Sequence, residues 1–351
     1  MNEKQQPLGH LGKNILMTPH CVFAGAVCLV LTFLVYWPAI NATFFVFDDS
    51  VHIYGNVHFK SLGFQEFVLF WTNSYESLYI PITYSLWSVV AGLFGVESPV
   101  PYHVLNLVFH AFNSWLVFIW LTQLLNCLPQ RNKALQHRNS IPWIALTGSV
   151  LFNVHPIHVE AVAWVSSFKD LNSTAWALCA LIFHFAYRST TSKRKAKQYK
   201  YIAFGFIVLG VLAKPNISVL VVLLAWLDRV VFRLKFRELI VDNALLCVPS
   251  ILIAYISVQL QPSSYLHQLP SFAERMIISV DALRLYAVNI LNPVALSFDY
   301  ERSVSNVLNE WNSELSYKLM LLFTIGLICL SYIGRIRRLF SVETLGLSIG
   351  L

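Results

Sequence analysis

Apolar residues occur along this chain in runs long enough to cross a lipid bilayer, separated by short polar segments. A helix that crosses the hydrocarbon layer needs about 20 mainly apolar residues. Eight segments meet or approach this length, at 21–43, 102–127, 142–160, 171–187, 201–214, 216–232, 240–260 and 316–334. The pattern predicts an all-α polytopic membrane protein with about eight transmembrane helices.

Two segments do not read as simple spans. The stretch 201–232 is interrupted at Lys214-Pro215-Asn216, and we interpret it as a hairpin whose turn lines a watered, protein-walled cavity. Segment 273–293 carries Glu274, Arg275, Asp281, Arg284 and Asn289, and if it spanned the membrane, the basic cluster at 335–338 would face outward. We therefore predict that 273–293 is an amphipathic helix that lies on or dips into the outer face.

Composition supports the membrane class. Of 351 residues, 56% are hydrophobic and only 12% are charged, whereas a soluble domain carries about 25% charged residues. The net charge of +7 does not indicate nucleic-acid binding, because the basic residues sit in short loops between apolar runs.

The distribution of Lys and Arg predicts the orientation. With both termini cytoplasmic, eighteen basic residues fall on the cytoplasmic side, and the other side receives seven basic and thirteen acidic residues. The predicted organisation is a cytoplasmic N-terminus (1–20), a transmembrane domain (21–338) and a short cytoplasmic tail (339–351). Residues 44–101 form a long first extracytoplasmic loop.

That loop opens with two adjacent carboxylates, Asp48 and Asp49, followed by His52. Like charges near hydrocarbon raise one another's pKa, which suits a general base shielded from bulk water. The pair equally suits a divalent cation such as Mg²⁺ or Mn²⁺, and the pattern does not decide between these readings. The structural alternative is a solvated loop with an Asp helix cap.

A second polar cluster joins the third and fourth predicted spans, and consists of His155, His158, Glu160, Lys169 and Asp170. The spacing of the two histidines, with Pro156 between them, argues against a zinc site. We predict that the cluster binds an anionic or hydroxyl-rich substrate. The alternative is an interfacial belt of polar and aromatic groups.

Lysine 214 lies between apolar arms, where a cation is costly unless a carboxylate or a bound anion pairs with it. Snorkelling to the interface is the alternative. Arg275 and Arg284 are further phosphate-binding candidates, and Asp299 lies in an acidic and aromatic patch beyond them. Carboxylates, cations and aromatic rings on one face suit a lipid-linked phosphate donor and a sugar.

Several motifs together resemble the membrane half of the transmembrane-and-TPR O-mannosyltransferase family and its bacterial relatives. They are Phe47-Asp48-Asp49 with His52 and Asn56, Tyr79-Ile80-Pro81-Ile82-Thr83, Pro101-Tyr102-His103-Val104-Leu105-Asn106-Leu107 with His110, His155-Pro156-Ile157-His158-Val159-Glu160 with Trp164, Lys169 and Asp170, Ala213-Lys214-Pro215, and Leu296-Ser297-Phe298-Asp299-Tyr300. The resemblance covers roughly residues 20–305.

The resemblance implies a GT-C type glycosyltransferase that takes a sugar from a polyprenyl-phosphate carrier on the luminal or periplasmic side. It assigns the catalytic acidic motif to Asp48 and Asp49, with inversion at the anomeric carbon. The acceptor, which is a protein, a lipid or a glycan, stays open. The family continues into 34-residue tetratricopeptide repeats, which this sequence does not contain. Whatever these repeats contribute to acceptor choice is therefore expected to be missing or to come from another chain.

A transporter or flippase of lipid-linked sugars is the competing interpretation, since it also combines many spans with intramembrane charge. The sequence shows no paired inverted repeats and no second broken helix to match the one at Lys214. A catalytically inactive scaffold is the third reading, and the presence of both Asp48 and Asp49 argues against it.

Overall fold

The computed structural model describes residues 18–60, 63–127, 138–260, 270–297 and 300–313. The predicted span 316–334, both termini and Asp299 lie outside these residues. The chain divides into two compact units, one formed by residues 1–129 with 139–261 and the other by 130–138 with 262–351. Each unit is described by itself below.

The regular secondary structure of the described residues is helical. Eleven α-helices belong to the first unit: α1 (Pro19–Tyr36), α2 (Val57–Lys60), α3 (Phe64–Thr72), α4 (Pro81–Phe94), α5 (Val100–Cys127), α6 (Ile141–Val154), α7 (Val159–Ala163), α8 (Phe168–Ser189), α9 (Lys193–Ala213), α10 (Leu220–Val230) and α11 (Phe236–Gln259). The second unit contains α12 (Phe272–Leu291) and α13 (Val304–Ser313).

Proline marks where several of these helices begin. Pro19, Pro81 and Pro142 occupy the first turns of α1, α4 and α6, where the missing N–H costs nothing because that donor has no intrahelical partner. Thr18 caps α1 as well, since its hydroxyl accepts a hydrogen bond of 3.3 Å from the amide of Cys21.

Three of the described helices are long and apolar enough to cross a membrane, namely Pro19–Asn41 (α1 with the turn that follows it), α5 and α11. Many large apolar side chains remain exposed on α1 and α11, including Leu34, Ile251 and Tyr255, and such a surface is stable against lipid but not against water. The chain is therefore a membrane protein, and the count of about eight spans stays a prediction.

Two ion pairs show how the chain reverses around Lys214. Asp170 in the first turn of α8 pairs with Lys214 at the end of α9, and Arg188 in the last turn of α8 pairs with Asp228 near the end of α10. Helix α9 therefore runs from the Arg188 end of α8 to the Asp170 end, and α10 returns, as expected of a hairpin. The first arm is longer than predicted, because α9 begins at Lys193 rather than at 201.

The structure corrects one further boundary and shows what segment 44–101 contains. That segment includes α2, α3 and α4, and the α4 residues Tyr84 and Trp87 are fully buried. Aromatic side chains interleaved with polar ones concealed this helix in the sequence. The third predicted span ends at Val154 rather than 160, because His155 adopts an extended conformation before Pro156.

The second unit contains the predicted amphipathic helix as α12. Its buried Asp281 accepts hydrogen bonds of 2.9 and 2.7 Å from Arg302, and Arg284 lies 3.5 Å from the same carboxylate. Arg302 also reaches Glu310 of α13 at 2.7 Å. This ion-pair network holds α12 and α13 together.

Candidate active site

Asp48 and Lys169 form a partly exposed ion pair in the first unit. The Lys169 ammonium lies 2.7 Å from Asp48 Oδ2, and the side chains are 16% and 39% exposed, respectively. The ammonium also lies 5.9 Å from the centre of the Trp164 ring, within the range of a cation–π contact. Asp48 therefore presents a carboxylate that is oriented by a cation and still reachable by a substrate.

Asp49 has a different environment, although it is the next residue. It is 1% exposed, and its Oδ1 accepts hydrogen bonds from the Ser166 amide at 2.8 Å and the Ser166 hydroxyl at 2.5 Å. Its Oδ2 accepts a bond of 2.8 Å from the amide of Phe45. Three donors thus hold this carboxylate in place and tie the Asp48 segment to the turn before α8.

The second ion pair joins Lys214 to Asp170, the residue after Lys169. Glu160 lies close enough to Asp170 and Lys214 for both charges to shift its pKa. Partial burial and the negative charge of Asp170 raise the pKa of Glu160, and Lys214 opposes them. The start of α8 therefore carries one cation, Lys169, and through the next residue, Asp170, binds a second, Lys214. A bound anion can replace the carboxylates that pair with these two ammonium groups.

His52 lies close enough to the Asp48–Lys169 pair for both charges to shift its pKa. Its Nδ1 is 2.8 Å from the Tyr84 hydroxyl, and its ring packs edge-on to Tyr75. Burial and the nearby Lys169 lower the pKa of His52, against the effects of Asp48, Glu76 and Asp49. A neutral imidazole held by a tyrosine suits a positioning role better than a phosphate-binding one.

His103, His110, His155 and His158 contact the backbone or one another. His103 Nε2 lies 3.1 Å from the carbonyl of Ala42, and His110 Nε2 lies 2.8 Å from that of Asn153. His155 accepts a bond from the Ile157 amide, and the His158 ring packs on His110 at 5.3 Å between ring centres. Burial together with these neighbouring histidines lowers the pKa of His158 to about 4.

Hydrogen bonds join the motifs that carried the family resemblance. The Thr83 hydroxyl donates to the carbonyl of Ala213 at 2.9 Å, beside Lys214, and accepts a bond of 3.1 Å from Asn172. The Asn106 amide donates to the carbonyls of Val162 and Trp164 at 3.2 and 2.8 Å. Motifs far apart in sequence thus meet around the start of α8.

Other predicted site residues lie elsewhere. The Tyr79 hydroxyl donates to the carbonyl of Trp71 at 3.0 Å, within the α3–α4 segment. Arg275, which is exposed, and Arg284, which is near Asp281, belong to the second unit. Asp299 lies outside the described residues.

The geometry does not favour a metal site at the aspartates. Within residues 18–60, 63–127, 138–260, 270–297 and 300–313, no group of three or more His, Cys, Asp or Glu side chains is placed to hold a metal ion. Asp49 already accepts three hydrogen bonds, and Asp48 contacts Lys169. The arrangement suits a base and a supporting carboxylate, not two ligands of one cation.

Several residues of the site were not found from the sequence. Ser166 supplies two of the three donors to Asp49, Tyr84 bonds to His52, and Asn172 donates to Thr83 beside the Lys214 turn. Serine is common at the interfaces between membrane helices, and nothing in the local sequence distinguishes Ser166, Tyr84 or Asn172 from other residues of their type. Only the helix packing that brings residues 49, 83, 166 and 172 together reveals them.

Comparison with known proteins gives matches over part of the chain. It is 34% identical to protein O-mannosyl-transferase F38B6.6 of Caenorhabditis elegans over 158 residues, which is 42% of this chain and 21% of that protein. It is 31% identical to protein O-mannosyl-transferase TMTC4 of Mus musculus over 184 residues (48% and 24%) and 33% identical to the Homo sapiens TMTC4 over 147 residues (40% and 19%).

No family model and no solved structure matches the chain. The aligned part spans only about a fifth to a quarter of the length of these curated relatives. Within that part, the comparison confirms the resemblance drawn from the motifs: this chain is similar to protein O-mannosyl-transferases across nearly half of its length.

Proposed function

We propose that the chain is an inverting glycosyltransferase that moves a sugar from a polyprenyl-phosphate carrier to an acceptor hydroxyl on the non-cytoplasmic face. The relatives' names favour mannose as the sugar and a protein as the acceptor. The observation that carries the proposal is the ion pair between Asp48 and Lys169, because it places a reachable carboxylate beside a cation, and the residue after Lys169, Asp170, pairs with a second cation, Lys214.

Asp48 is the general base in this mechanism. Its carboxylate takes the proton of the acceptor hydroxyl, the hydroxyl oxygen bonds to the anomeric carbon, and the bond from that carbon to the phosphate oxygen breaks. The lipid phosphate leaves with the bonding electrons. Attack from the side opposite the phosphate inverts the anomeric configuration.

Lys214 and Lys169 stabilise the departing phosphate. Charge-assisted bonds to phosphate strengthen as negative charge develops on the leaving oxygen. Both ammonium groups are partly exposed and have carboxylate counter-ions, so a phosphate can replace Asp170 at Lys214 without leaving a buried charge unpaired.

Asp49 and His52 are positioning residues. Asp49 holds the backbone of Phe45 and Ser166, which sets the location of Asp48 relative to α8. The bond between His52 and Tyr84 supports the same turn from the α4 side. Exposed aromatic rings nearby, such as Phe45 and Phe47, which stack at 5.2 Å, offer apolar faces to a sugar ring.

The test is donor consumption by the purified chain with a panel of radiolabelled polyprenyl-phosphate sugars and a membrane extract as acceptor. Wild type should consume one donor, and Asp48→Asn should lose at least about a hundredfold, the usual contribution of a general base. Glu97→Gln, an exposed acid in the same segment, is the matched control and should keep full activity.

Two other outcomes contradict the proposal. If wild type binds a labelled donor without consuming it, and Asp48→Asn binds equally well, transport of lipid-linked sugars replaces catalysis as the explanation. If EDTA abolishes transfer and Mg²⁺ or Mn²⁺ restores it, the assignment of Asp48 as a metal-free base is wrong.

A further inference from the structure

A dense set of cations lies at the Arg188 end of the α8–α11 bundle, opposite the candidate active site. Segments 188–200 and 228–242 together contain ten Lys and Arg residues against three Asp and Glu. Eight of these cations are exposed and form no ion pair within the described residues: Lys193, Arg194, Lys195, Lys197, Arg229, Arg233, Lys235 and Arg237. We name these eight residues the basic surface.

A buried network holds the two halves of the basic surface together. Arg188 Nε donates to Asp228 Oδ1 at 2.8 Å, and its Nη1 donates to Asp242 Oδ2 at 2.7 Å, so one guanidinium joins α8, α10 and α11. His184 and Asn243 also bond to Asp228, at 2.8 and 3.0 Å. The α8–α9 connection and the α10–α11 connection are thus fixed at the same end of the bundle.

The carboxylates of Asp228 and Asp242 are already bonded within this network. Asp228 is fully buried, and its carboxylate contacts Arg188, His184 and Asn243. Asp242 is occupied by Arg188 and Tyr187, and Glu238 accepts the amide of Lys235 at 2.9 Å. Among the residues that the structure describes, the exposed cations therefore have no carboxylate counter-ion, and an external anion is the natural partner.

The surface next to the cations identifies that anion. Apolar side chains of α10 and α11 remain exposed up to the basic surface, among them Val222, Trp226, Val230, Ile240 and Val241. Trp226 precedes Arg229 by one helical turn, in the position that tryptophan takes where hydrocarbon meets headgroups. A ligand that fits both parts has apolar chains and an anionic head.

We propose that the basic surface binds the phosphate headgroups of anionic phospholipids, with their acyl chains against the exposed faces of α10 and α11. This proposal is independent of the catalytic one, because it concerns the other end of α8. Bound lipid would neutralise the eight cations and keep the α8–α11 bundle upright in the membrane.

The test uses the full chain in detergent micelles and measures quenching of tryptophan fluorescence by doxyl-labelled phosphatidylserine or phosphatidylcholine. Wild type should prefer the anionic lipid by about tenfold, and salt should weaken the preference. Changing Arg229, Arg233, Lys235 and Arg237 together to Gln should reduce the preference to about twofold or less. The charge-preserving control, Arg229→Lys with Arg233→Lys and Arg237→Lys, should retain it.

Circular dichroism and thermal unfolding of each variant separate loss of binding from loss of fold. If the Gln variant unfolds, the comparison of wild type with the Lys variant at increasing salt still tests the proposal. Equal quenching by both lipids in wild type, or full preference in a folded Gln variant, would overturn it. So would displacement of the lipid by a short RNA without any preference between the two headgroups.

Discussion

Lys169 and Asp48 are 121 residues apart in sequence, and their charged atoms are 2.7 Å apart in the structure. The contact brings the start of α8 onto the segment that follows α1. The residues that follow the two partners add further contacts to α8 and its preceding turn. Asp49, after Asp48, accepts two hydrogen bonds from Ser166, and Asp170, after Lys169, pairs with Lys214. Two neighbouring aspartates thereby acquire different environments, and different consequences of mutation follow.

Asp48→Asn and Asp49→Ala should separate activity from stability. Asp48 is partly exposed, so its replacement should change the free energy of unfolding by less than about 1 kcal/mol while transfer falls at least about a hundredfold. Asp49→Ala leaves the Phe45 amide and both Ser166 donors without their acceptor. Each unsatisfied buried donor costs about 1–3 kcal/mol, so this variant should unfold at a clearly lower temperature.

Thermal unfolding in detergent, measured beside donor consumption, checks this separation. The expectation fails if both variants lose stability equally, or if Asp49→Ala is as stable as wild type.

Lys214→Met should impair use of the donor more than Asp170→Asn does. Lys214 supplies positive charge to the leaving phosphate, and its loss should lower kcat/KM by about a hundredfold, as for removal of one electrostatic stabiliser. Asp170 competes with the phosphate for the same ammonium. Asp170→Asn should therefore keep most of kcat and lower the KM for the donor.

Steady-state kinetics with varied donor give both constants, and Lys214→Arg is the charge-preserving control. A larger loss in Asp170→Asn than in Lys214→Met would show that the ion pair is needed intact rather than opened by the substrate.

The His158 cluster should make folding sensitive to mild acid. The pKa of His158 is lowered from 6.5 to about 4 by burial and by His110 and His155. Because the unfolded chain binds the proton more readily, the stabilising contribution is complete above about pH 6.5 and is lost progressively as the pH falls towards 4.

Unfolding midpoints between pH 4 and 7 should therefore depend less on pH in His158→Phe than in wild type. His20→Phe, at the exposed start of α1, controls for the removal of a histidine. An identical pH dependence in His158→Phe and wild type would contradict the assignment.

The turn before α4 stores backbone strain. Glu76 and Ser77 both have positive φ, at 48° and 62°, and the hydrogen bonds between Tyr75 and Leu78 close the turn around them. Residues other than glycine pay about 1–2 kcal/mol for this conformation. Ser77→Gly should therefore stabilise the protein by up to about 1 kcal/mol.

Ser74→Gly, three residues earlier and without positive φ, is the matched control and should destabilise or leave stability unchanged. Thermal unfolding of both variants decides the point, and equal destabilisation by the two glycines would contradict it.

Hydrophobic runs were sufficient to predict the helices that are long and apolar enough to cross a membrane, namely α1, α5 and α11 among the described residues, and the break at Lys214. They were not sufficient for α4, because its fully buried face is composed of Tyr84, Trp87 and Thr83, which resemble an interfacial loop. They also placed the end of α6 too late, since Ile157 and Val159 extend the apolar run beyond Val154.

The charged residues of the candidate site could be picked out from the sequence, but the residues that hold them in place could not. Asp48, Asp49, Lys169, Asp170 and Lys214 are conspicuous because charge is rare in this chain. The separate environments of Asp48 and Asp49 depend on Ser166, 117 residues away from Asp49, and on the packing of α8. No local pattern contains that information.

The most direct test of Asp48 as the base is transfer to an acceptor that needs no deprotonation. Asp48→Ala should lose transfer to hydroxyl acceptors at least about a hundredfold, yet in the presence of azide it should form the glycosyl azide from the same donor, because azide is already an anion. Mass spectrometry of the products, with wild type alongside, gives both rates. If azide restores donor consumption, the role of Asp48 is proton removal; if Asp48→Ala fails with azide as completely as with hydroxyls, Asp48 is not the base.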